Sequence, residues 1–496
     1  MQGDRVSCQG ESALHSSSSG FGYGFSTVQN PVWTVSQVLL ATDGRFISGS
    51  SHAQFRAIST DTRTIEAGDL FVALRGDNFN GEAFVNEAVK KGAAGVVVSM
   101  VPEQSLPVAV ILVKNTLAAL GDLAKYRRAS MQHVQVLAIT GSSGKTTVKE
   151  MTAVILGGKY EVLKTKGNFN NLIGMPLSLL PLGFRDDCAV LEMGMNRPGE
   201  IRRLTKIADP DIACIVNIQP AHLEGLGDIS GVAQAKGELF EEMKLWGTLA
   251  VNIDDTRVRR LASKAGHAKI TFGRRKEAFV RATHLYNKGE HGMAYTLHVG
   301  GKKKRLTLKA LGAHNVENSL AAAALAYAAG MNIKEIVRGL ESFEPPARRF
   351  EIERLQSGIC VINDAYNANP SSVLAALKTL AGMSRSKRCV VALGDMLELG
   401  SVSEEAHKKT GEAVAEMGFT RLVTVGEYAK KTVEGARLKG MKASRTAFFE
   451  SKKEMAPYLI QLVKEGVIST GDFVLIKGSR GMRMETLIED MKRAGL

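Results

Sequence analysis

The chain has 496 residues, of which 44% are apolar and 23% charged, and it carries a formal net charge of +14. This length predicts two to four domains with substantial cores, and the composition is that of a soluble globular protein. No apolar run approaches the roughly 20 residues of a membrane span, so we expect no membrane insertion. The five cysteines are far apart and lack zinc or disulfide spacing, which favours a reducing, cytoplasmic location.

The first part of the chain predicts an extension followed by a small α/β domain. Residues 1–30 are rich in Ser and Gly and predict a disordered extension without a secretory signal. An amphipathic segment then begins at Trp33. Beyond it the apolar pattern predicts strand, strand, helix and strand, in that order, at residues 56–63, 69–74, 84–91 and 94–98. We place this first domain at residues 31–115.

Residues 116–344 predict a central domain in which β and α segments alternate. After a helix at residues 117–128 and the strand from Val136, further strands are predicted at residues 160–164, 188–192, 212–217, 248–253 and 269–272. Helical patterns lie between them, as at residues 199–208 and 232–243. Such alternation predicts a mainly parallel, doubly wound sheet. Shorter alternating strands at residues 278–308 predict an antiparallel appendage, and an Ala-rich helix follows at residues 314–330.

The stretch from Val136 to Val148 reads as a strand, a glycine turn and a helix. Gly141 and Gly144 let backbone N–H groups converge on an anion, while Lys145 neutralises phosphate oxygens and the Thr146 hydroxyl can bind Mg²⁺. Ile139 replaces the first glycine of the general P-loop pattern, so this loop is a shorter form. The stretch predicts a nucleoside-triphosphate site, with an ordinary strand-to-helix turn as the alternative. Its predicted nucleotide-binding residues are Gly141, Ser142, Ser143, Gly144, Lys145, Thr146 and Thr147.

Residues 345–496 predict a third domain with a Rossmann-like pattern. Pro345 and Pro346 mark a linker, and together with the segment up to Phe350 they are our hinge candidates. Strands are predicted at residues 359–363, 390–393, 422–425 and 473–476, each followed by a helix. No Gly-x-Gly-x-x-Gly string is present, so a dinucleotide is not predicted. The fold class is therefore α/β, with three domains.

Polar residues follow several strands of the predicted central sheet. Glu192 ends a strand at the edge where the phosphate loop opens, so it can hold Mg²⁺ or simply cap the next turn. His222 leaves the same sheet edge, whereas Lys236 by itself would be a solvated helix lysine. Asn168, Asn170 and Asn171 lie in a Gly-flanked loop. An amide-rich loop suits a polar, peptide-like or carboxylate ligand, although Asn also favours turns.

Several strings taken together resemble the motifs of the Mur ligases, which build peptidoglycan precursors and so serve cell-wall growth, cell shape and cell division. The resemblance begins near Trp33, runs to the C-terminus in family order and covers all three domains. Within the family, it is greatest to the member that adds D-alanyl-D-alanine to UDP-N-acetylmuramoyl-tripeptide. The strings are residues 140–147, 167–176, 191–194, 221–224, 235–238, 314–318, 364–370 and 393–400.

The resemblance implies an ATP- and Mg²⁺-dependent carbon–nitrogen ligase. In this reaction ATP phosphorylates the tripeptide carboxylate, and the amine of D-Ala-D-Ala then attacks the acyl phosphate. The resemblance makes Lys145, Glu192, His222 and Lys236 the catalytic residues. It also makes Thr146 and Glu192 ligands of one Mg²⁺, with His222 and a carbamylated Lys236 helping to bind a second.

The same resemblance assigns the remaining contacts. Those to ATP are Asn318, Arg349 and Asp364. Those to the UDP-linked acceptor are Asp61, Thr62 and Arg63, and the loop asparagines Asn168, Asn170 and Asn171 are further substrate-binding candidates. Residues 477–480 would face the incoming dipeptide.

Other functions stay open from the residues alone. A sister ligase would add a single amino acid to a UDP-muramoyl peptide, or glutamate to a folate. A P-loop nucleotide switch would hydrolyse ATP without ligation. The basic run at residues 302–305, predicted as a solvated hairpin tip, keeps nucleic-acid binding as a weaker alternative, and we expect none. Nothing in the sequence demands more than a monomer.

Overall fold

A computed structural model describes residues 32–76, 79–383 and 387–496 of the chain, apart from the side chain of Phe79. The predicted disordered extension, residues 1–30, lies outside this part of the chain. Within it, no helix is both long and apolar enough to cross a membrane.

The first domain is built on a five-stranded sheet with the order β2-β9-β8-β5-β4. Only β2 runs antiparallel to its neighbour. The predicted strand at residues 56–63 shortens to β4, because the backbone then turns where the Asp61 carboxylate accepts the Arg63 N–H. The elements are β1 (Trp33–Thr34), α1 (Val35–Thr42), β2 (Arg45–Ser48), β3 (Gln54–Phe55), β4 (Ile58–Ser59), β5 (Leu70–Val72), β6 (Arg75–Gly76), β7 (Phe79–Asn80), α2 (Val85–Lys90), β8 (Gly95–Val98) and β9 (Ala109–Leu112).

The central domain contains a nine-stranded sheet with the order β11-β12-β10-β13-β14-β15-β16-β17-β18. The strands are parallel from β11 to β16, and β17 and β18 extend the sheet in antiparallel fashion. The first of its elements are α3 (Thr116–Ser130), β10 (Gln135–Thr140), α4 (Lys145–Leu156), β11 (Val162–Lys164), α5 (Gly174–Leu179), β12 (Cys188–Glu192), α6 (Glu200–Ala208), β13 (Ile212–Ile215) and α7 (Leu223–Leu226). The others are α8 (Ile229–Glu241), β14 (Thr248–Asn252), α9 (Thr256–Lys264), β15 (Ala268–Gly273), β16 (Val280–Asn287), β17 (Met293–Val299), β18 (Lys302–Leu308), α10 (Ala313–Ala328) and α11 (Ile333–Ser342).

Helices cover both faces of the parallel part of this sheet. Side chains of β10 alternate between the two layers, because successive residues of a strand point to opposite faces. Ala138 packs in one core with residues of α3, α6 and α8, and Ile139 packs in the other with residues of α4, α10 and α11. The first core also includes Trp33, so the first and central domains share apolar packing. The sheet is therefore doubly wound, as predicted.

The third domain holds a six-stranded sheet with the order β19-β20-β24-β21-β22-β23, in which only β19 is antiparallel. Its elements are β19 (Glu351–Arg354), β20 (Cys360–Asp364), α12 (Pro370–Met383), β21 (Cys389–Gly394), α13 (Ser403–Glu416), β22 (Arg421–Val425), α14 (Ala429–Leu438), β23 (Thr446–Phe449), α15 (Lys452–Lys464), β24 (Phe473–Lys477) and α16 (Thr486–Arg493).

One local prediction is wrong. The basic run at residues 302–305 is not a hairpin tip but the start of β18, the edge strand of the central sheet. The tip is formed by Gly300 and Gly301, which both adopt the positive φ values that a tight turn requires. Exposed lysines on an edge strand hinder pairing with another chain, which gives the run a structural role.

Candidate active site

The phosphate loop lies between β10 and α4, at the carboxyl edge of the central sheet. Gly144 precedes the helix with a left-handed φ of 81°, and Lys145 folds back so that its Nζ donates to the Gly141 carbonyl at 2.7 Å. Burial lowers the pKa of Lys145, and the nearby Glu192 charge partly opposes that shift. The first amides of α4 have no partner within the helix, so they remain available to an anion.

Two polar residues that follow β13 form hydrogen bonds with the phosphate loop. Asn217 Oδ1 accepts the Ser143 N–H at 3.0 Å, and Asn217 Nδ2 donates to the Ser143 carbonyl at 3.1 Å. Gln219 exchanges two hydrogen bonds with Ser142, and its side chain accepts from the Ser143 hydroxyl. The loop conformation is therefore fixed by protein contacts. Our predictions missed both residues, although they leave the sheet at the same edge as His222.

Glu192 ends β12 with its side chain buried, only 1% exposed. Its Oε1 accepts from Asn170 Nδ2 at 2.7 Å, while its Oε2 is buried and has no hydrogen-bond partner. Asn171 has a different task, because its Oδ1 accepts the N–H groups of Ile173 and Gly174 at the start of α5. Asn168 faces the cavity described below. The structure thus separates the three asparagines, which the sequence alone left equivalent.

Lys236 is buried in α8, and its Nζ contacts the Sδ of Met195 at 3.4 Å. No carboxylate of the described residues forms an ion pair with it. Burial, followed by repulsion from Lys145, places the pKa of Lys236 well below its ordinary value. The prediction from its position alone, a solvated helix lysine, is therefore wrong. A neutral buried amine is the form that can react with CO₂.

His222 connects the central and third domains. Its backbone is left-handed, with φ of 55°, and its Nδ1 lies 2.7 Å from Glu398 Oε2. This contact lowers the pKa of Glu398, through the hydrogen bond and the charge of His222. Glu398 belongs to the string of residues 393–400, but our predictions gave it no role. Its partner could not be found from sequence, because the two residues come from different domains.

The third domain contributes a fixed group of charges. The Asp364 carboxylate accepts the Phe350 N–H at 3.1 Å and pairs with Lys477 Nζ at 2.7 Å. Lys477 is buried and also donates to the Asn367 carbonyl, so its ammonium is held inside the domain. Arg349 packs over the Tyr366 ring, 4.0 Å from its centroid.

Most of these groups line a cavity of about 860 Å³ between the central and third domains. It contains most of the predicted site residues together with three polar residues that our predictions missed. The predicted ones are Ser142, Ser143, Gly144, Lys145, Thr146, Thr147, Asn168, Asn170, Asn171, Glu192, His222, Asn318, Arg349 and Asp364, and the missed ones are Asn217, Gln219 and Glu398. Cavities of several hundred cubic ångströms are typical of ligand sites.

Some predicted site residues lie apart from this cavity. Gly141 and Lys236 do not line it, although Lys236 contacts Met195, which does. Asp61, Thr62 and Arg63 form a turn in the first domain, where Arg63 binds both carboxylate oxygens of Asp61. Arg63 lowers the pKa of Asp61 to about 2. None of these three residues lines the cavity.

The protein side chains alone do not form a site for a divalent cation, and phosphate oxygens of a bound nucleotide would have to complete it. Among the described residues, no group of three or more His, Cys, Asp or Glu side chains is arranged to hold a metal. Glu192, whose Oε2 is buried and unpaired, nevertheless lines the same cavity as the phosphate loop and Thr146. Oxygen donors of this kind suit Mg²⁺, which keeps few protein ligands and binds phosphates.

Three models of Mur ligase domains match the chain in order. The Mur ligase family catalytic domain matches residues 54–128, the Mur ligase middle domain matches residues 139–326, and the glutamate ligase domain matches residues 348–480. The UDP-N-acetylmuramoyl-tripeptide--D-alanyl-D-alanine ligase of Bacillus subtilis is 37% identical, over 88% of this chain and 92% of its own length. The chain belongs to the Mur ligase family.

Other Mur ligases agree in sequence and in fold. The Haemophilus influenzae ligase of the same name is 35% identical over 90% of this chain and 95% of its own. The solved MurF structure from Acinetobacter baumannii has a TM-score of 0.85 at 33% identity and covers 94% of this chain and 100% of that one. The MurF ligase of Thermotoga maritima, solved in complex with ADP, has a TM-score of 0.77 at 26% identity, covering 88% and 97%. These matches confirm the predicted family and the three-domain α/β fold.

Proposed function

We propose that this Mur ligase is an ATP-dependent enzyme that adds D-alanyl-D-alanine to UDP-N-acetylmuramoyl-tripeptide in peptidoglycan precursor synthesis. The observation that carries the proposal is the cavity between the central and third domains. It places the phosphate loop and an unpaired buried carboxylate opposite cationic side chains of another domain. The substrates are those named for relatives that match nearly the whole chain.

The reaction has two steps. A carboxylate oxygen of the tripeptide attacks the γ-phosphorus of ATP, which forms an acyl phosphate and releases ADP. The free amine of D-Ala-D-Ala then attacks the acyl carbon, and the tetrahedral intermediate expels phosphate and leaves the new amide. Both partners of the first step are anions. The protein must therefore neutralise charge and hold the reactants in line.

The central domain supplies the neutralising groups for the triphosphate. Lys145 and the amides at the start of α4 would hold the β- and γ-phosphates, and Thr146 and Glu192 would hold one Mg²⁺. His222 and a carbamylated Lys236 would help to hold a second. When bound, Mg²⁺ offsets phosphate charge and favours the phosphoryl transfer. His222 Nδ1 contacts Glu398 Oε2, so Glu398 would have to release His222, or share it, for His222 to serve as a metal ligand.

The carbamate follows from the surroundings of Lys236. A protonated lysine cannot attack CO₂, and it cannot ligate a cation either. Burial lowers the pKa of Lys236 and so favours its neutral form. The amine nitrogen would then bond to the carbon of CO₂ as one C=O π bond opens onto oxygen, and the nitrogen would release a proton. The product carries an anionic oxygen group in place of a cation, and such oxygens are suitable Mg²⁺ ligands.

The third domain completes the ATP site and closes it. Asn318 contacts the adenine side, while Arg349 and Asp364 reach ATP from the linker and the third domain. The position of the Asp364 carboxylate is fixed by its ion pair with Lys477. Closure also excludes water, which would otherwise hydrolyse the acyl phosphate. The UDP-linked end of the acceptor is held by Asp61, Thr62 and Arg63. Asn168 and its loop lie near the carboxylate end of the acceptor, which reacts.

The decisive experiment measures phosphate release from ATP and Mg²⁺ in the presence of UDP-N-acetylmuramoyl-tripeptide. D-Ala-D-Ala, single amino acids and no amine are compared, and the product is identified by mass. We expect release only with the dipeptide, together with the pentapeptide product. Release with a single amino acid would instead indicate a sister ligase. Release without any amine would indicate a nucleotide switch.

A further inference from the structure

The two carboxylate oxygens of Glu192 have different surroundings. Oε1 accepts a hydrogen bond of 2.7 Å from the side-chain amide of Asn170, whereas Oε2 is buried without a protein partner. A buried carboxylate oxygen is normally hydrogen-bonded, so an unpaired one needs a ligand to compensate for its lost hydration. Because Asn170 occupies Oε1, the oxygen left for that ligand is Oε2.

Asn170 is held in place by more than its side chain. Its carbonyl accepts the Gly194 N–H at 2.7 Å, and its own N–H donates to the Asn168 carbonyl at 2.7 Å. A Cβ on Gly194 would lie 2.8 Å from Asn170 Oδ1, so only glycine fits there without displacing the amide. The Asn-rich loop and the end of β12 therefore form one unit. A shift of Asn170 would move Glu192 as well.

We infer that Asn170 is a positioning residue for the metal-binding carboxylate rather than a contact for the acceptor. Its amide fixes the plane of the Glu192 carboxylate and presents Oε2 to a divalent cation held at the phosphate loop. This inference rests on the metal role proposed above for Glu192, and it replaces our sequence-based assignment of Asn170 as substrate-binding. Loss of a hydrogen-bonding partner behind a metal ligand typically lowers metal affinity by about 10- to 100-fold.

Substitutions of Asn170 distinguish a positioning role toward Glu192 from a contact with the acceptor. Asn170→Ala removes the hydrogen bond, and Asn170→Ser retains a shorter donor. Asn170→Asp replaces the donor by a second carboxylate that repels Glu192. Asn332→Asp is the matched control, because Asn332 caps α11 on the surface and Asp also caps helices well. It introduces the same charge away from the cavity.

The measurement is Mn²⁺ binding to the protein–ADP complex, followed through the electron paramagnetic resonance signal of free Mn²⁺. We expect the dissociation constant for Mn²⁺ to rise about tenfold in Asn170→Ala and to be unchanged in Asn332→Asp. In Asn170→Asp the added negative charge opposes the loss of the donor, so the dissociation constant should lie below that of Asn170→Ala. Neither acceptor nor amine is present. The result is therefore independent of which substrates the enzyme joins, and failure of the proposed ligation would not alter it.

A double-mutant comparison decides whether the effect passes through Glu192. In a Glu192→Ala background, Asn170→Ala should have no further effect on Mn²⁺ affinity, since the group it orients is gone. An equal loss of affinity in both backgrounds would overturn the inference. So would an unchanged Mn²⁺ affinity combined with a raised KM for the UDP-linked acceptor. Circular dichroism identifies any variant that fails to fold, and Asn170→Ser then replaces Asn170→Ala in the comparison.

Discussion

Replacement of Gly144 by alanine tests the geometry of the phosphate loop directly. Gly144 has a left-handed φ of 81°, which is unfavourable for any residue with a Cβ. A Cβ there would also lie less than 3.0 Å from Asn318 Oδ1. Asn318 is buried and donates to Asn315 Oδ1 at 2.9 Å, so its amide cannot move away without weakening that bond. Two separate penalties therefore apply to one substitution.

A second glycine allows the free-energy cost of the backbone conformation to be measured apart from that of the crowding. The left-handed backbone costs roughly 1–2 kcal/mol for a non-glycine residue. The crowding against Asn318 adds about 1–3 kcal/mol, so we expect Gly144→Ala to lower the free energy of unfolding by about 2–5 kcal/mol. Gly199 also precedes a helix, with φ of 86°, but nothing lies within 4 Å of its Cβ position. Gly199→Ala should cost only the backbone term, about 1–2 kcal/mol.

Denaturant unfolding of both variants, followed by circular dichroism, measures these differences. A third variant combines Gly144→Ala with Asn318→Ala, which removes the crowded amide. In that background we expect the cost of Gly144→Ala to fall to that of Gly199→Ala. Equal destabilisation by Gly144→Ala and Gly199→Ala in the native background would refute the reasoning, since Asn318 would then impose no constraint on the loop.

Three further predictions concern Lys145 and Lys236. Lys145→Ala should abolish ligation while binding of the UDP-linked acceptor survives, as measured by calorimetry; loss of both would contradict the assignment of the acceptor to the first domain. Lys236→Ala should reduce activity strongly, and short-chain carboxylates should restore part of it by replacing the carbamate, whereas no rescue would argue against the modification. In CO₂-free buffer, burial lowers the pKa of Lys236 in the folded chain only, so the unfolded chain binds more protons and the native chain should lose stability as pH falls below the ordinary lysine range. Lys236→Met should lack this slope in denaturant unfolding measured between pH 6 and about pH 10; the same slope in both proteins would show that Lys236 is charged in the fold.

The fold was accessible from sequence because burial leaves a regular pattern. Strands covered by helices on both faces read as continuous apolar runs, as in residues 136–139, and amphipathic helices separate them. The edge of a sheet is harder to predict. Four consecutive basic residues at 302–305 suggested a turn, yet β18 tolerates them because an edge strand exposes much of its surface.

Part of the candidate site could be predicted from the sequence for a related reason. Parallel strands bring their carboxyl ends to one edge, so the position of Glu192 beside the phosphate loop followed from strand order. The same argument, applied to the residues after β13, would have identified Asn217 and Gln219. Contacts between domains leave no such periodic signal. Glu398 lies 176 residues from His222 in the chain, and only the folded structure brings them together.

The contacts between the central and third domains are of a kind that can be broken in each catalytic cycle. His222–Glu398 is partly solvent-exposed, and the Asn369 amide reaches the Ser142 carbonyl at 3.4 Å. Exposed polar contacts contribute little free energy, so they can fix an arrangement without preventing its opening.

The linker between these two domains has a strained backbone that polar contacts hold in place. Arg348 and Phe350 both have left-handed φ values, which cost energy unless neighbouring groups hold them. Asp364 holds the Phe350 N–H, and Glu485 holds the Arg348 guanidinium. Asp364 also belongs to the proposed ATP site. A change in its contacts when ATP binds would therefore alter the restraint on the linker, and nucleotide binding would in this way be coupled to movement of the third domain.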